Sequence, residues 1–118
     1  MTFKNNIFQS NPLFNQGRKL YNEGNIYEAH IIWEKIWKHG DKESRKQIKG
    51  FIQLSGAIIN NQYGKKHAVE YLLTKAIQNL LSLKESGINI NNLIDQINNY
   101  LALIHNDVCC SENIKIKI

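Results

Sequence analysis

The run from Leu20 to Trp37, LYNEGNIYEAHIIWEKIW, constrains the fold most, because it holds a helix stop, a helix start and a cluster of large side chains in one turn-linked unit. Gly24 and Asn25 interrupt two helical patterns, since glycine and asparagine accept the positive-φ backbone that ends helices. The first helix is therefore expected to stop near Glu23. Beyond the break, Tyr27, His30, Trp33, Glu34 and Trp37 recur at three- and four-residue spacing, which puts them along one side of the next helix. The two tryptophans predict that this side is the buried one, each large ring removing ~150 to 250 Å² of surface from water.

The same period continues along the chain. Asn11-Pro12 opens a first helix through Leu13, Phe14, Gly17, Leu20 and Tyr21, an N-cap residue followed by a proline suited to the first helical position. A second is expected from about Ile26 to His39. Gly40-Asp41 closes it and caps a third, which carries Ile48, Phe51, Ile52, Leu54, Ser55, Ile58 and Ile59. Gly50 and Gly56 would each cost that helix ~1 kcal/mol relative to alanine if exposed, so both predict close approach of a neighbouring helix. After a break at Asn60 to Gly64, a fourth helix carries Val69, Leu72, Leu73, Ala76, Ile77, Leu80 and Leu83, and Gly87 is expected to end it. Leu93, Ile94, Ile97, Leu101 and Ile104 outline a fifth.

No alternating strand pattern with hairpin turns is present, so the expected fold is all-α: a compact bundle of about five helices paired as antiparallel hairpins. The chain divides into an N-terminal arm (1–10), the helical domain (11–106) and a C-terminal tail (107–118). The tail ends in alternating apolar and charged residues, IKIKI, and a segment this short is expected to fray rather than pair as a strand.

A length of 118 residues with 42% hydrophobic composition suffices for a core without disulfide or metal staples. Apolar stretches are only a few residues long, and the opening MTFKNNIFQSNP lacks a hydrophobic signal core. No membrane association is expected, and the compartment is expected to be the cytoplasm, or an organelle interior for an organelle-encoded chain. The net charge of +5 is spread among lysines interleaved with acids, as in WEKIWKHGDKESRK, so no nucleic-acid partner is expected. The only cysteines, Cys109 and Cys110, are adjacent and could bridge each other only with severe strain.

The stretch YNEGNIYEAH, followed by Trp33, Glu34 and Trp37 and later by Gly50, Phe51, Ile52 and Gln53, resembles the DUF309 family of small helical proteins. The resemblance covers about Leu13 to Leu80, with Gly64, Lys65, Ala68 and Val69 at the opening of that family's closing helix. Ile31 stands where the family pattern has an acid after the histidine, and Ala68-Val69 stands where it has Gly-Ala. The resemblance implies a helical fold and carries no activity with it. Leu20, Tyr21, Gly24, Tyr27, Ala29 and Trp37 are also similar to one tetratricopeptide hairpin, but a stack of those repeats needs several copies at a period of 34 residues and one is present.

His30 and Glu34 lie four apart on a helix, and Gln53 would face them if the second and third helices pack antiparallel. One reading is a polar pocket, with Tyr27, Trp33 and Trp37 as walls, in which His30 binds a ligand or moves a proton. The other is a buried histidine, satisfied by Glu34, Gln53 or backbone, that fixes helix register. One imidazole with scattered carboxylates such as Glu23 and Glu28 falls below a metal site, so neither metal nor cofactor is expected. His39, His67 and His105 read as solvated residues near helix ends, and Lys65-Lys66-His67 as a solvated basic turn. The leading functional expectation is a non-enzymatic helical domain that binds a protein partner or a copy of itself, the alternative a small-molecule-binding or hydrolytic protein built on His30, Glu34 and Gln53.

Overall fold

Capping chemistry sets the ends of the elements in the computed structural model, which describes residues 8, 11–83, 87–106 and 114–117. Five helices follow one another: α1 (Pro12–Asn22), α2 (Ile26–His39), α3 (Lys42–Gln62), α4 (Lys66–Leu81) and α5 (Ile90–His105). Asn11 accepts the Leu13 N–H at 2.9 Å to start α1, with Pro12 at the first helical position. Asp41 accepts the Ser44 N–H at 2.8 Å to start α3, and that donated hydrogen bond holds its carboxyl below the usual range. Gly24, at φ 91°, turns the chain between α1 and α2, and Gly64, at φ 69°, does so between α3 and α4.

The fourth helix stops sooner than its apolar stripe suggests. It ends at Leu81, where Ser82 caps it and the Leu83 N–H donates to the Leu80 carbonyl at 2.9 Å, tightening the last turn and burying Leu83. Gly87, φ 94°, instead shapes the approach to α5.

From α2 to α4, consecutive helices run antiparallel. Between α2 and α3 the partners step outward from the turn: Trp37 with Arg45, Trp33 with Phe51, His30 with Ser55. Between α3 and α4, Gln53 meets Asn79 and Gly50 lies under Leu80. A β-carbon on Gly50 would come within 2.9 Å of Leu80 Cγ, so this glycine does mark a close approach. Gly56 does not: a β-carbon there would meet His30 only at 3.6 Å, an ordinary contact.

The centre of the core is aromatic. Trp33 is fully buried, stacks on Phe14 at 6.0 Å and 19°, and lies 5.7 Å from Tyr21 and 5.6 Å from Phe51. Its indole N–H donates to the Phe14 carbonyl at 3.3 Å. Phe8, the described residue of the N-terminal arm, packs edge-on against Phe14 at 4.6 Å. The Tyr21 hydroxyl is buried here with no hydrogen-bond partner among the described residues, and burial, reinforced by Tyr100, pushes its ionisation far upward. Because that oxygen has lost water and gained nothing, Tyr21→Phe should leave stability unchanged or raise it by about 1 kcal/mol, read as the urea midpoint. A clear loss of stability would show that the hydroxyl is satisfied.

Residues 114–117 of the tail correct the expectation of fraying. Ile114 and Ile116 are buried, and the backbone between them is hydrogen-bonded to side chains of α1 and α5. They form no strand ladder: the groups that bond their backbone are the side chains of Arg18, Asn22 and Gln96 and the single backbone N–H of Asn89. Cys109 and Cys110 lie outside the described residues.

Candidate functional site

Of the residues expected to form one pocket, Glu34, Trp37 and Gln53 line a common depression, whereas Trp33, Tyr27 and His30 stand outside it. Trp33 belongs to the core, with no exposed surface, while Tyr27 stands 65% exposed and Trp37 41% exposed. Four residues carry a helix one turn and ~40° further round, so Trp37 falls outside the strip buried by Ala29, Trp33 and Ile36. The side of α2 that bears His30, Glu34 and Trp37 is the margin of the buried face rather than its middle.

His30 is bolted to α3 by Ser55. Its Nδ1 lies 2.7 Å from Ser55 Oγ, and its Nε2 lies 3.2 Å from Glu34 Oε1. Ser55 Oγ is also 3.0 Å from the carbonyls of Phe51 and Ile52, yet a hydroxyl has one proton to give. With the imidazole neutral and its proton on Nε2, Ser55 donates to Nδ1 and His30 donates to Glu34. With the ring doubly protonated, Nδ1–H donates to Ser55, whose own O–H turns to a backbone carbonyl. Both ring nitrogens are satisfied in either state, so the hydroxyl rotor accommodates both.

A serine, a histidine and an acid in line suggest hydrolysis by composition, but Ser55 is fully buried and no acyl group could reach it. Gln53, expected to join them, turns elsewhere: its Oε1 accepts from Asn79 Nδ2 at 2.7 Å. Glu23 and Glu28 are exposed, and among the described residues no three His, Cys, Asp or Glu side chains converge as a metal would require.

Two adjoining depressions flank Trp37 instead. The larger, about 530 Å³, is lined by Trp37, Gly40, Lys42, Arg45, Lys46, Lys49 and Asn79. The smaller, about 250 Å³, is lined by Glu34, Trp37, Lys49, Ile52 and Gln53. Lys42, Arg45, Lys46 and Lys49 follow the i, i+3, i+4, i+7 spacing of a single helix face. Among the described residues, no carboxylate pairs with any of them. Asp41 is engaged at the cap of α3, and Glu43 accepts from Gln47 at 3.2 Å. Arg45 folds back across the turn, its Nε donating to the Trp37 carbonyl at 2.8 Å and its guanidinium 5.9 Å from the indole centre. Acids and bases that alternate along the sequence are thus sorted to different sides by the helix. The four-residue spacing of the cations was the available signal for this face.

The other histidines, His39, His67 and His105, are exposed at helix ends. Among the described residues, no helix is long and apolar enough to cross a membrane.

Neither a curated protein nor a solved structure matches the chain. A family model does, described as domain of unknown function (DUF309), and it spans residues 14–72. That span takes in α1 to α3 and the start of α4, with the Trp33 core, the His30–Ser55 bolt and the cationic face of α3 all inside it. On this match, which spans half of the chain, the protein belongs to the DUF309 family.

Proposed function

We propose that this protein is a non-enzymatic binding domain whose working face is the groove beside Trp37, and that its partner is a protein segment bearing acidic side chains around an apolar anchor. The observation that carries this reading is a large exposed indole set among cations, none of which forms an ion pair with a described carboxylate. Tryptophan and arginine are the side chains that concentrate binding energy at protein interfaces, and here they are stacked together at the centre of the face. Lysines at the rim would steer an anionic segment inward, while Ile52 and the indole offer it apolar surface. The buried serine supports the non-enzymatic part of the proposal. Adjacent cysteines that cannot pair without strain suit a reducing interior, the cytoplasm or an organelle.

The test titrates the chain with a glutamate-rich peptide carrying one leucine, followed by Trp37 emission in a Trp33→Phe background, against oligothymidylate of equal charge. The acidic peptide should bind more tightly, weaken as salt rises, and lose roughly tenfold or more in affinity in the Arg45→Glu/Lys49→Glu variant. Preferential binding of the oligonucleotide, or peptide binding indifferent to the charge reversal, would overturn the assignment.

A further inference from the structure

The tail is held largely through its backbone. Asn22, the last residue of α1, closes a two-bond ring with the peptide groups of Ile116: the Ile116 N–H donates to Asn22 Oδ1 at 2.9 Å, and the Ile116 carbonyl accepts from Asn22 Nδ2 at 2.9 Å. Gln96 of α5 does the same for Lys115, whose N–H donates to Oε1 and whose carbonyl accepts from Nε2, both at 2.8 Å. Arg18 Nε adds a bond to the Ile116 carbonyl at 3.0 Å, and the Asn89 N–H adds one to the Lys117 carbonyl at 2.8 Å. Gln96 is itself steadied from the preceding turn, donating to Asn92 Oδ1 at 2.7 Å.

Two primary amides, one from each helix, therefore grip successive residues of an extended strand as a neighbouring strand would. Side-chain selection comes from two buried positions, Ile114 and Ile116, which the alternation of an extended chain sends to the same side, and from Lys115 between them, whose Nζ donates to the Asn22 carbonyl. The main packing of α1 is with α2 and that of α5 is with α4, so this segment fills the space between helices that do not otherwise form a major interface. Such a cleft combines backbone hydrogen bonding with alternate apolar sockets, the features by which extended peptides are recognised.

We propose that the α1–α5 cleft is a docking site for an extended Ile-x-Ile segment, filled within the chain by residues 114–117 and filled between chains by the same segment of a second copy. Every contact of the seated tail is available identically to a tail arriving from another molecule, so exchange sacrifices none of them and yields a symmetric, reciprocal dimer. What favours the intramolecular form is its tether, which acts as an effective concentration in the ~mM range. Disabling the resident tail removes that competitor.

Two full-length variants make the test. One, Ile114→Ser/Ile116→Ser, keeps the cleft and loses the tail anchors; the other, Asn22→Ala/Gln96→Ala, keeps the tail and loses the grip. Sedimentation should show each alone as a monomer and the mixture as a 1:1 complex. A labelled peptide of residues 111–118, SENIKIKI, should bind the first variant, bind the unmodified chain at least roughly tenfold more weakly because of the tethered competitor, and fail to bind when the Ile116 nitrogen is methylated. Should the first variant lose its helical signal, the peptide should restore it in circular dichroism. Absence of both the mixed complex and peptide binding or rescue would overturn the proposal, as would peptide binding of equal strength to the Asn22→Ala/Gln96→Ala chain.

Discussion

Replacing Trp33 with alanine should lower the unfolding free energy by about 3 to 5 kcal/mol, while Trp37→Ala should change it by well under ~1 kcal/mol. The two residues share a helix, a side-chain type and a four-residue spacing, so the contrast isolates burial. Trp33 loses its contacts with Phe14, Tyr21 and Phe51 and leaves a void between α1 and α3; Trp37 has 41% of its surface in water already. Urea midpoints of the two variants decide the matter, and equal midpoints would contradict the placement of both rings. Affinity for an acidic segment should show the reverse order, with Trp37 the sensitive position.

Gly17→Ala is the second large effect, and its sign is opposite to what helix propensity alone would give. Exchanging a glycine for alanine inside a helix ordinarily stabilises it by ~1 kcal/mol. Here the added β-carbon would fall within 2.7 Å of Trp33 Cδ1 and closer still to its Nε1, against a ring clamped between Phe14 and Phe51 rather than the loose end of a flexible chain. Overpacking of this kind costs ~1 to 3 kcal/mol, so a net loss is expected. Combining Gly17→Ala with Trp33→Phe should recover part of it, because the smaller ring vacates the contested space. A double-mutant cycle in denaturant measures that coupling, and strict additivity would mean that glycine and indole do not compete for the same volume.

Local chemistry made much of the fold legible in the sequence. The caps at Asn11 and Asp41 and the reversal at Gly24 depend on residues within a few positions of one another, and five helices, antiparallel from α2 to α4, follow from them and from the apolar period. The DUF309 resemblance likewise rested on ordered residues along those helices. The candidate site was harder to read because its pairings cross between elements. Gln53 has the spacing to face His30, but Asn79, 26 residues away, takes its amide. Ser55 sits in an apolar stripe, where its hydroxyl gives no sequence signal of the histidine it binds. The cationic face is visible at four-residue intervals, yet linear alternation with Asp41, Glu43 and Ser44 conceals it until the helix separates the signs. In the tail, alternation of isoleucine and lysine describes an extended segment correctly but cannot announce that its pairing partners include two side-chain amides.

The grip of Asn22 on Ile116 also bears on the order in which the molecule assembles. Each helix packs chiefly against its neighbour in sequence, so hairpins can form with small closure entropy and the chain has the local topology of a fast folder. Between Asn22 and Ile116, by contrast, 94 positions must be drawn together. That loop is worth closing only after α1 and α5 have been set by the helices between them. The clasp is therefore a late event in folding and an early one in opening, a latch set on helices already in place.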